Sequence, residues 1–444
     1  MRNYQESMEI SRGLGLKRLL AVSLVEMALV QESLGKPDMA LASYEEALKL
    51  QNEIGIKKEV GDTLIDMGVV YQDRGQYDKA LEAYKESLQI QRDTGDENYQ
   101  ALCLSNIGFV YLSKGETDNA FTYFQQALHL REKLNIPGDI ADSLHGMGQA
   151  YAATGQYDQA LASYLKALEL WRKVGDSRGA ALGSHQIGLV FQYQGRFGAA
   201  LSSMQDAVKS LRELKDYGID TALILTDLGD TLARAGRGAE ADTPLQEAQG
   251  LARDLKNESL QAAILNAQGD VQFYRGDWKA AKVLYDQASR KAMKGTERDK
   301  VLAAKLNLAK VTLAEGRSQA VIRDLQSLSQ EADKQGIKHL ALESSVDMAA
   351  AMVSNKDYSR ARQELERELG ISEKLGLRLQ TARIHYLLGD ISRLTGNAEE
   401  AAGQYRKTLS LIDEMKKESG AEHLEERSDV HAIYEEATRW SRSG

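Results

Sequence analysis

Proline is nearly missing from this chain, with three in 444 residues. Each proline inside a helix removes a hydrogen bond and adds a clash, so its scarcity leaves room for long helices. Aromatic residues make up only 6%, against 43% hydrophobic residues overall. With plentiful Ala, Leu, Glu, Gln and Lys, this composition describes a soluble, nearly all-helical protein. The single cysteine, Cys103, excludes an internal disulfide and fits a reducing cytoplasm. No basic stripe is present and the net charge is -9, which argues against a nucleic-acid backbone or an anionic membrane as partner. The longest apolar run, Leu19 to Val30, is interrupted by Glu26 and is too short to span a bilayer. Glu6 and Glu9 ahead of it argue against a signal peptide.

What the chain does have is a period. Gly35, Gly75, Gly115, Gly155, Gly195, Gly236, Gly276, Gly316 and Gly396 recur about every forty residues, with Lys356 filling one rung. A chain of this length would ordinarily suggest two or three domains. An unbroken period instead predicts a stacked array, whose function lies on a long surface rather than in one pocket. Within one repeat, Leu64, Met67, Gly68 and Tyr71 form the apolar stripe of a first helix. Gly75 ends it, and Tyr77, Ala80, Leu81, Tyr84 and Leu88 mark the inner face of a second helix. Gly68, Ala80 and Ser87 let the two helices approach. The set returns as Gly108, Tyr111, Ala120, Phe124 and Ala127, and again as Gly148, Tyr151, Ala160, Tyr164 and Ala167. Later copies drift: Ala309 and Ala349 replace the glycine, and Leu325 and Leu365 replace the aromatic. The one-residue slip at Ala235-Gly236-Arg237-Gly238 is the best candidate for a bend.

This pattern resembles the tetratricopeptide repeat, with Leu-Gly-x-x-Tyr in the first helix and Ala-x-x-x-Phe/Tyr in the second. The period of forty and the lack of a proline after the second helix are departures. They resemble the Leu-Gly-Asn adaptors and the repeats of bacterial signalling proteins. The resemblance implies an all-α, right-handed superhelical solenoid of antiparallel helix pairs, about ten units long. The expected segments are 1–15, the second helix of an incomplete repeat; 16–215, five regular units; 216–418, five divergent units; and 419–444, a capping helix and tail. Tyr4 to Ile10 matches Tyr84 to Ile90, so the chain opens half-way through a repeat. That start predicts an exposed apolar face and self-association. At the other end, Ala421 to Trp440 reads as one charged amphipathic helix.

No catalytic constellation stands out, so the expectation is a non-enzyme without cofactor or metal. Gly13-Leu14-Gly15-Leu16-Lys17-Arg18 lacks the third glycine and preceding strand of a phosphate loop, and Gly15 aligns with the turn glycines Gly55 and Gly95. Asn257-Glu258-Ser259 formally matches a glycosylation acceptor, but a repeat turn is the better account. His145 and His185 share one column of adjacent repeats, yet no third His or Cys recurs with them to complete a zinc site.

The resemblance places partner binding on the concave side, lined by the first helices. Beside the packing stripe lies Asp62, Ile65, Val69 and Gln72 in the second repeat. Tyr71, Tyr84, Tyr111, Tyr151, Tyr164, Tyr285 and Tyr405 are assigned to packing, which leaves Phe109, Tyr193, Phe273, Tyr274 and Tyr386 as exposed groove aromatics. His145, His185, Asn106, Gln149, Gln192 and Asn266 add amide and imidazole groups suited to a peptide backbone. Asp230, Asp270 and Asp390 favour a basic or amide-rich ligand. The Lys/Asn/Arg clamp that tetratricopeptide domains use on chaperone C-termini is absent, since those columns hold Ile65, Val69, Asn106, Asp142 and Gly146. The leading expectation is a cytoplasmic scaffold that binds a protein or peptide segment. The alternative is the sensor region of a larger bacterial signalling protein, a serine/threonine kinase or transcriptional regulator; peptide-pheromone receptors are a related case.

Overall fold

The computed structural model describes residues 2–293 and 298–441. Met1 and residues 442–444, which bound the expected first and last segments, lie outside the described residues. Every regular element among the described residues is helical. The first eight helices are α1 (Arg2–Gly13), α2 (Lys17–Ser33), α3 (Pro37–Ile54), α4 (Lys57–Asp73), α5 (Tyr77–Thr94), α6 (Glu97–Ser113), α7 (Thr117–Leu134) and α8 (Pro137–Ala153). Next come α9 (Tyr157–Val174), α10 (Ser177–Tyr193), α11 (Phe197–Glu213), α12 (Ile219–Arg234), α13 (Gly238–Asp254), α14 (Glu258–Tyr274), α15 (Trp278–Ala292) and α16 (Arg298–Ala314). The last are α17 (Ser318–Lys334), α18 (Lys338–Ser354), α19 (Tyr358–Leu375), α20 (Arg378–Leu394), α21 (Ala398–Lys416) and α22 (Ser428–Trp440). Sequential helices pack in antiparallel pairs, as α4 does with α5 and α14 with α15. This is an all-α solenoid.

The glycine ladder ends the first helix of each pair. Each of its glycines has a φ between 67° and 87°, where an L side chain is strained. Lys356 takes the same left-handed conformation, with φ 64°. The turn at Gly15 (φ 67°) repeats those at Gly55 and Gly95 (both 74°), as its alignment predicts.

A second glycine series sets the distance between paired helices. A Cβ on Gly68 would lie 2.4 Å from the Tyr84 ring; on Gly108, 2.7 Å from Phe124; on Gly269, 2.4 Å from Tyr285; and on Gly389, 2.8 Å from Tyr405. In each case the large residue follows sixteen positions later, and its ring fills the space that a side chain would need. The series also runs through smaller partners: Gly188 against Met204 and Gly229 against Leu245. Where the small residue becomes Ala309 or Ala349, the partner sixteen on is Leu325 or Leu365, all four buried in one cluster. The combined volume is therefore nearly conserved within the chain. Ala28 opposite Tyr44, both fully buried, exceeds that volume, and Gly229 opposite Leu245 falls short of it.

The chain divides into two compact units, residues 1–150 and 151–444. In the first, the Phe124 ring also packs against Gly146 of the following repeat, where a Cβ would stand 2.7 Å away. Gly146 is thus a packing position. In the second unit the chain returns upon itself. Arg378 donates to the carbonyls of Gln194 (3.1 Å) and Gly195 (2.7 Å). Arg427 donates to that of Arg234 (3.0 Å), and Ser428 to that of Phe273 (3.2 Å). Three successive first helices, α10, α12 and α14, thus have C-terminal carbonyls satisfied by side chains from far along the chain. At the slip, a Cβ on Gly236 would lie 1.8 Å from the His423 carbonyl oxygen, and one on Gly198 would lie 1.7 Å from that of Ser419. The slip is a docking point for the C-terminal segment.

One expectation about that segment needs correction. Ala421 to Trp440 is not one helix. Gly420 has φ 89°, a short 3-10 turn covers Leu424–Glu426, and Arg427 is extended before α22 begins. Burial of Ala421 and Leu424 and the reach of Arg427 to the end of α12 favour the broken path over a continuous helix.

Replacing Gly108 by Ala is expected to destabilise the chain by about 1–3 kcal/mol through overpacking. Combining it with Phe124→Leu should cost clearly less than the sum of the two single changes. Denaturant titration of the four proteins measures the coupling, and strict additivity would contradict the size-matching account.

Candidate protein-binding surface

In the second unit, alternate helices touch one another: α10 with α12, α12 with α14, α14 with α16, α16 with α18, and α18 with α20. Their shared side is the inner face. A line of polar side chains runs across it. Gln192 donates to Asp230 (2.8 Å), which also accepts from Arg234 (2.7 Å). Arg234 lies 3.9 Å from Asp270. Asp270 accepts from Tyr285 (2.6 Å) and from Asn307 (2.9 Å), and Asn307 also donates to Asn266 (3.3 Å). Lys310 donates to Asn307 (3.2 Å) and pairs with Glu343. Further on, Arg383 pairs with the fully buried Asp347. Five helices, α10 to α18, thus contribute to one line of hydrogen bonds and ion pairs, joined between α12 and α14 by the Arg234–Asp270 ion pair.

Burial and mutual charge set the electrostatics. Burial, with Asp230 beside it, pushes the Asp270 carboxyl up to about 7. Burial acts the same way on Glu343, but Lys310 and Arg234 outweigh it and hold that carboxyl down at about 2. Burial pushes His339 down to about 4, so at neutral pH it stacks on Tyr193 (4.2 Å between centroids) as a neutral ring. Asp230, Arg234, Lys310, Glu343 and Arg383 all keep partial solvent exposure. A sealed apolar core would leave these groups no exposure; here each side chain keeps between 12% and 29%.

The residues singled out in the sequence fall into distinct surroundings. In the first unit, Asn106 and Phe109 are half-buried on α6, and Phe109 packs edge-on against Phe124 (4.9 Å, 72°). His145 and Gln149 are half-buried on α8, where Gln149 donates to the His145 ring (3.0 Å). In the second unit, His185 is buried and bonded to Asp227 (2.7 Å). Gln192, Asp230, Asn266 and Asp270 belong to the polar line. Tyr193 is half-buried between Tyr157 and His339. Phe273 is half-buried beside the buried Tyr274, whose ring lies under Arg427 at 3.9 Å. Tyr386 donates to Glu436 of α22 (2.7 Å).

The five leftover aromatics are therefore not exposed. Phe109 fills space between repeats, and Tyr274 and Tyr386 are covered by the returning C-terminal segment. Asp270 and Asp390 also serve packing, since each accepts from the hydroxyl of the repeat's own large residue, Tyr285 or Tyr405. Sequence reasoning missed Arg234, Asn307, Lys310, His339, Glu343, Asp347 and Arg383. The signal was available: Lys310 stands forty residues after Asp270, a base in an aspartate column, and Arg383 stands forty after Glu343. Counting the aspartates alone hid the balancing charges. Among the described residues no group of three or more His, Cys, Asp or Glu is placed to hold a metal ion, and no helix is long and apolar enough to cross a membrane.

Models of the tetratricopeptide repeat match residues 21–54, 59–133 and 139–213. These residues carry tetratricopeptide repeats. Comparison with curated protein sequences yields no match. Among solved structures, the repeat protein is similar in fold to a Rap protein complexed with competence and sporulation factor. That match has a TM-score of 0.61 and 15% identity, and covers 83% of this chain and 99% of the other. Weaker likenesses are a dimer of human IFIT1 with a capped RNA (0.48, 15%, covering 86% and 89%) and a Pyrococcus horikoshii signal-transduction ATPase with a tetratricopeptide sensor (0.47, 17%, covering 71% and 46%). The tetratricopeptide array supports a protein-interaction scaffold, and its fold is typically non-catalytic.

The raised Asp270 pKa gives a signed test. Folding keeps a proton on this carboxyl that the unfolded chain releases from about pH 4, so stability is lost as pH rises from about 4 to about 7. Asp270→Asn keeps an acceptor for Tyr285 and Asn307 without the charge. The melting temperature of the variant relative to wild type is expected to rise by about 2–4 °C between pH 4.5 and pH 8. A difference that stays flat or falls would contradict the burial of an ionising Asp270.

Proposed function

We propose that the chain is a non-catalytic scaffold of the cytoplasm that binds an extended protein or peptide segment along the inner face of its tetratricopeptide array. The observation that carries this reading is the polar line from Gln192 to Glu343. It is linked from helix to helix by hydrogen bonds and ion pairs, and its charged side chains keep partial exposure. A surface of this kind is preorganised, so a partner's backbone amides and side chains meet fixed donors and acceptors and little ordering entropy is lost on binding. In the second unit the half-buried amide Asn266 and the stacked Tyr193 are assigned to a partner's backbone and side chains; in the first unit, taken by itself, the half-buried amides Asn106 and Gln149 are assigned the same role. The Rap protein of similar fold was solved complexed with competence and sporulation factor, which supports a ligand-holding role for arrays of this shape.

The reading includes a contact between copies of the chain. Leu14, Leu16, Leu19 and Val22 are exposed together near the start of the first unit. Leu16, Leu19 and Val22 line a hollow of about 630 Å³ with Gly15, Lys17, Arg18 and Ile54. Contiguous apolar surface of this kind marks an interaction site, and a second copy is the occupant assigned to it.

Photocrosslinking in cells tests both parts. A photoreactive residue in place of Gln149 or Asn266 should capture a partner, one in place of Leu19 should join two copies, and one in place of the exposed Leu165 on α9 should do neither. Adducts at 165 with none at 149 or 266 would overturn the inner-face assignment. A Leu19 position that never yields a dimer would remove self-association.

A further inference from the structure

The returning segment does more than cover the ends of the first helices. Arg427 is extended, and its side chain is 4% exposed. Its guanidinium lies 3.9 Å over the Tyr274 ring and donates to the Arg234 carbonyl at the C-terminal end of α12 (3.0 Å). Asp429 of the same segment holds the other edge of the fork (3.0 and 2.7 Å). Ser428 caps Phe273 beside it, and Glu436 takes the Tyr386 hydroxyl. An aromatic face beside a helix C-terminus, where carbonyls carry partial negative charge, suits a planar, always-charged guanidinium better than an ammonium. An arginine of the chain itself is thus already seated between the Tyr274 ring and the end of α12.

We propose that the corner formed by Tyr274 and the C-terminal end of α12 is an arginine-accepting site of the inner face, filled in cis by Arg427, and that an arginine-bearing partner segment exchanges with it. The proposal rests on the reading of the inner face as a peptide surface. Residues 418–430 act as a tethered occupant, kept in place by high local concentration. A partner carrying arginine in extended backbone gains the same stacking and carbonyl contacts once the segment leaves.

Two measurements on the full chain test this. In wild type, hydrogen exchange at the amides of residues 423–428 should be at least about tenfold faster than in the middle of α20, because the segment opens without the array unfolding. Equal protection would make the segment a permanent part of the core and overturn the proposal. A fluorescent peptide of residues 421–430 should then bind Arg427→Ala at least about tenfold more tightly than wild type, and a peptide with lysine for arginine should bind that variant at least about tenfold more weakly. Equal binding to the two chains, or equal binding of the two peptides, would overturn it. If Arg427→Ala fails to fold, the exchange result decides. Crosslinking at 149 and 266 does not depend on Arg427, so failure here leaves the broader surface standing.

Discussion

The spacing between the two helices of each repeat depends on one contact. A residue without a side chain, or with only a methyl group, faces a large residue sixteen positions later, and the ring or branched chain occupies the gap. Beyond the first repeat, Ala309 and Ala349 face Leu325 and Leu365, whereas the aromatic and Met partners face Gly. Close packing explains the trade, since a well-filled interior tolerates neither an added methyl nor a void. With that distance fixed, the first helices of successive repeats stand beside one another, and their remaining side is free to carry polar residues.

Closure of the second unit follows from helix ends. The terminal carbonyls of α10, α12 and α14 have no partner within their own helices. Arg378, Arg427 and Ser428 supply one, each from a segment far along the chain. The ladder glycines Gly195 and Gly236 therefore have a second role. Besides adopting positive φ, they let the returning segment approach their backbone, whereas a Cβ on Gly35 or Gly316 would meet open space. The same closure gathers the charges of α12, α14, α16 and α18 on one face, where they pair across helices.

Much of the repeat was legible in the sequence because it depends on local pattern. Turn glycines, the packing glycines and the buried Tyr84, Tyr164, Tyr285 and Tyr405 could be read from their period alone. The surroundings of the candidate site could not, because they depend on contacts between helices and with the C-terminal segment, some of them more than 150 residues apart. Tyr274 and Tyr386 look like free groove aromatics until Arg427 and Glu436 are placed on them. Asp270 looks like a ligand group until Tyr285 and Asn307 are seen to use it. The C-terminal helix was misread because Gly420 and Arg427 respond to a docking surface, not to their neighbours in sequence.

The central claim is that the polar line of the inner face is reached by water and by partners. The lone native cysteine makes this directly measurable. Cys103 is fully buried, bonded to Ser87 (3.3 Å), and burial pushes its thiol up to about 11, so it serves as an internal unreactive reference. A cysteine introduced by Asn266→Cys should react with a charged, membrane-impermeant thiol reagent within about tenfold of the rate at an exposed Leu165→Cys control. Labelling as slow as that of Cys103 would mean that the line is sealed core, and would contradict the account.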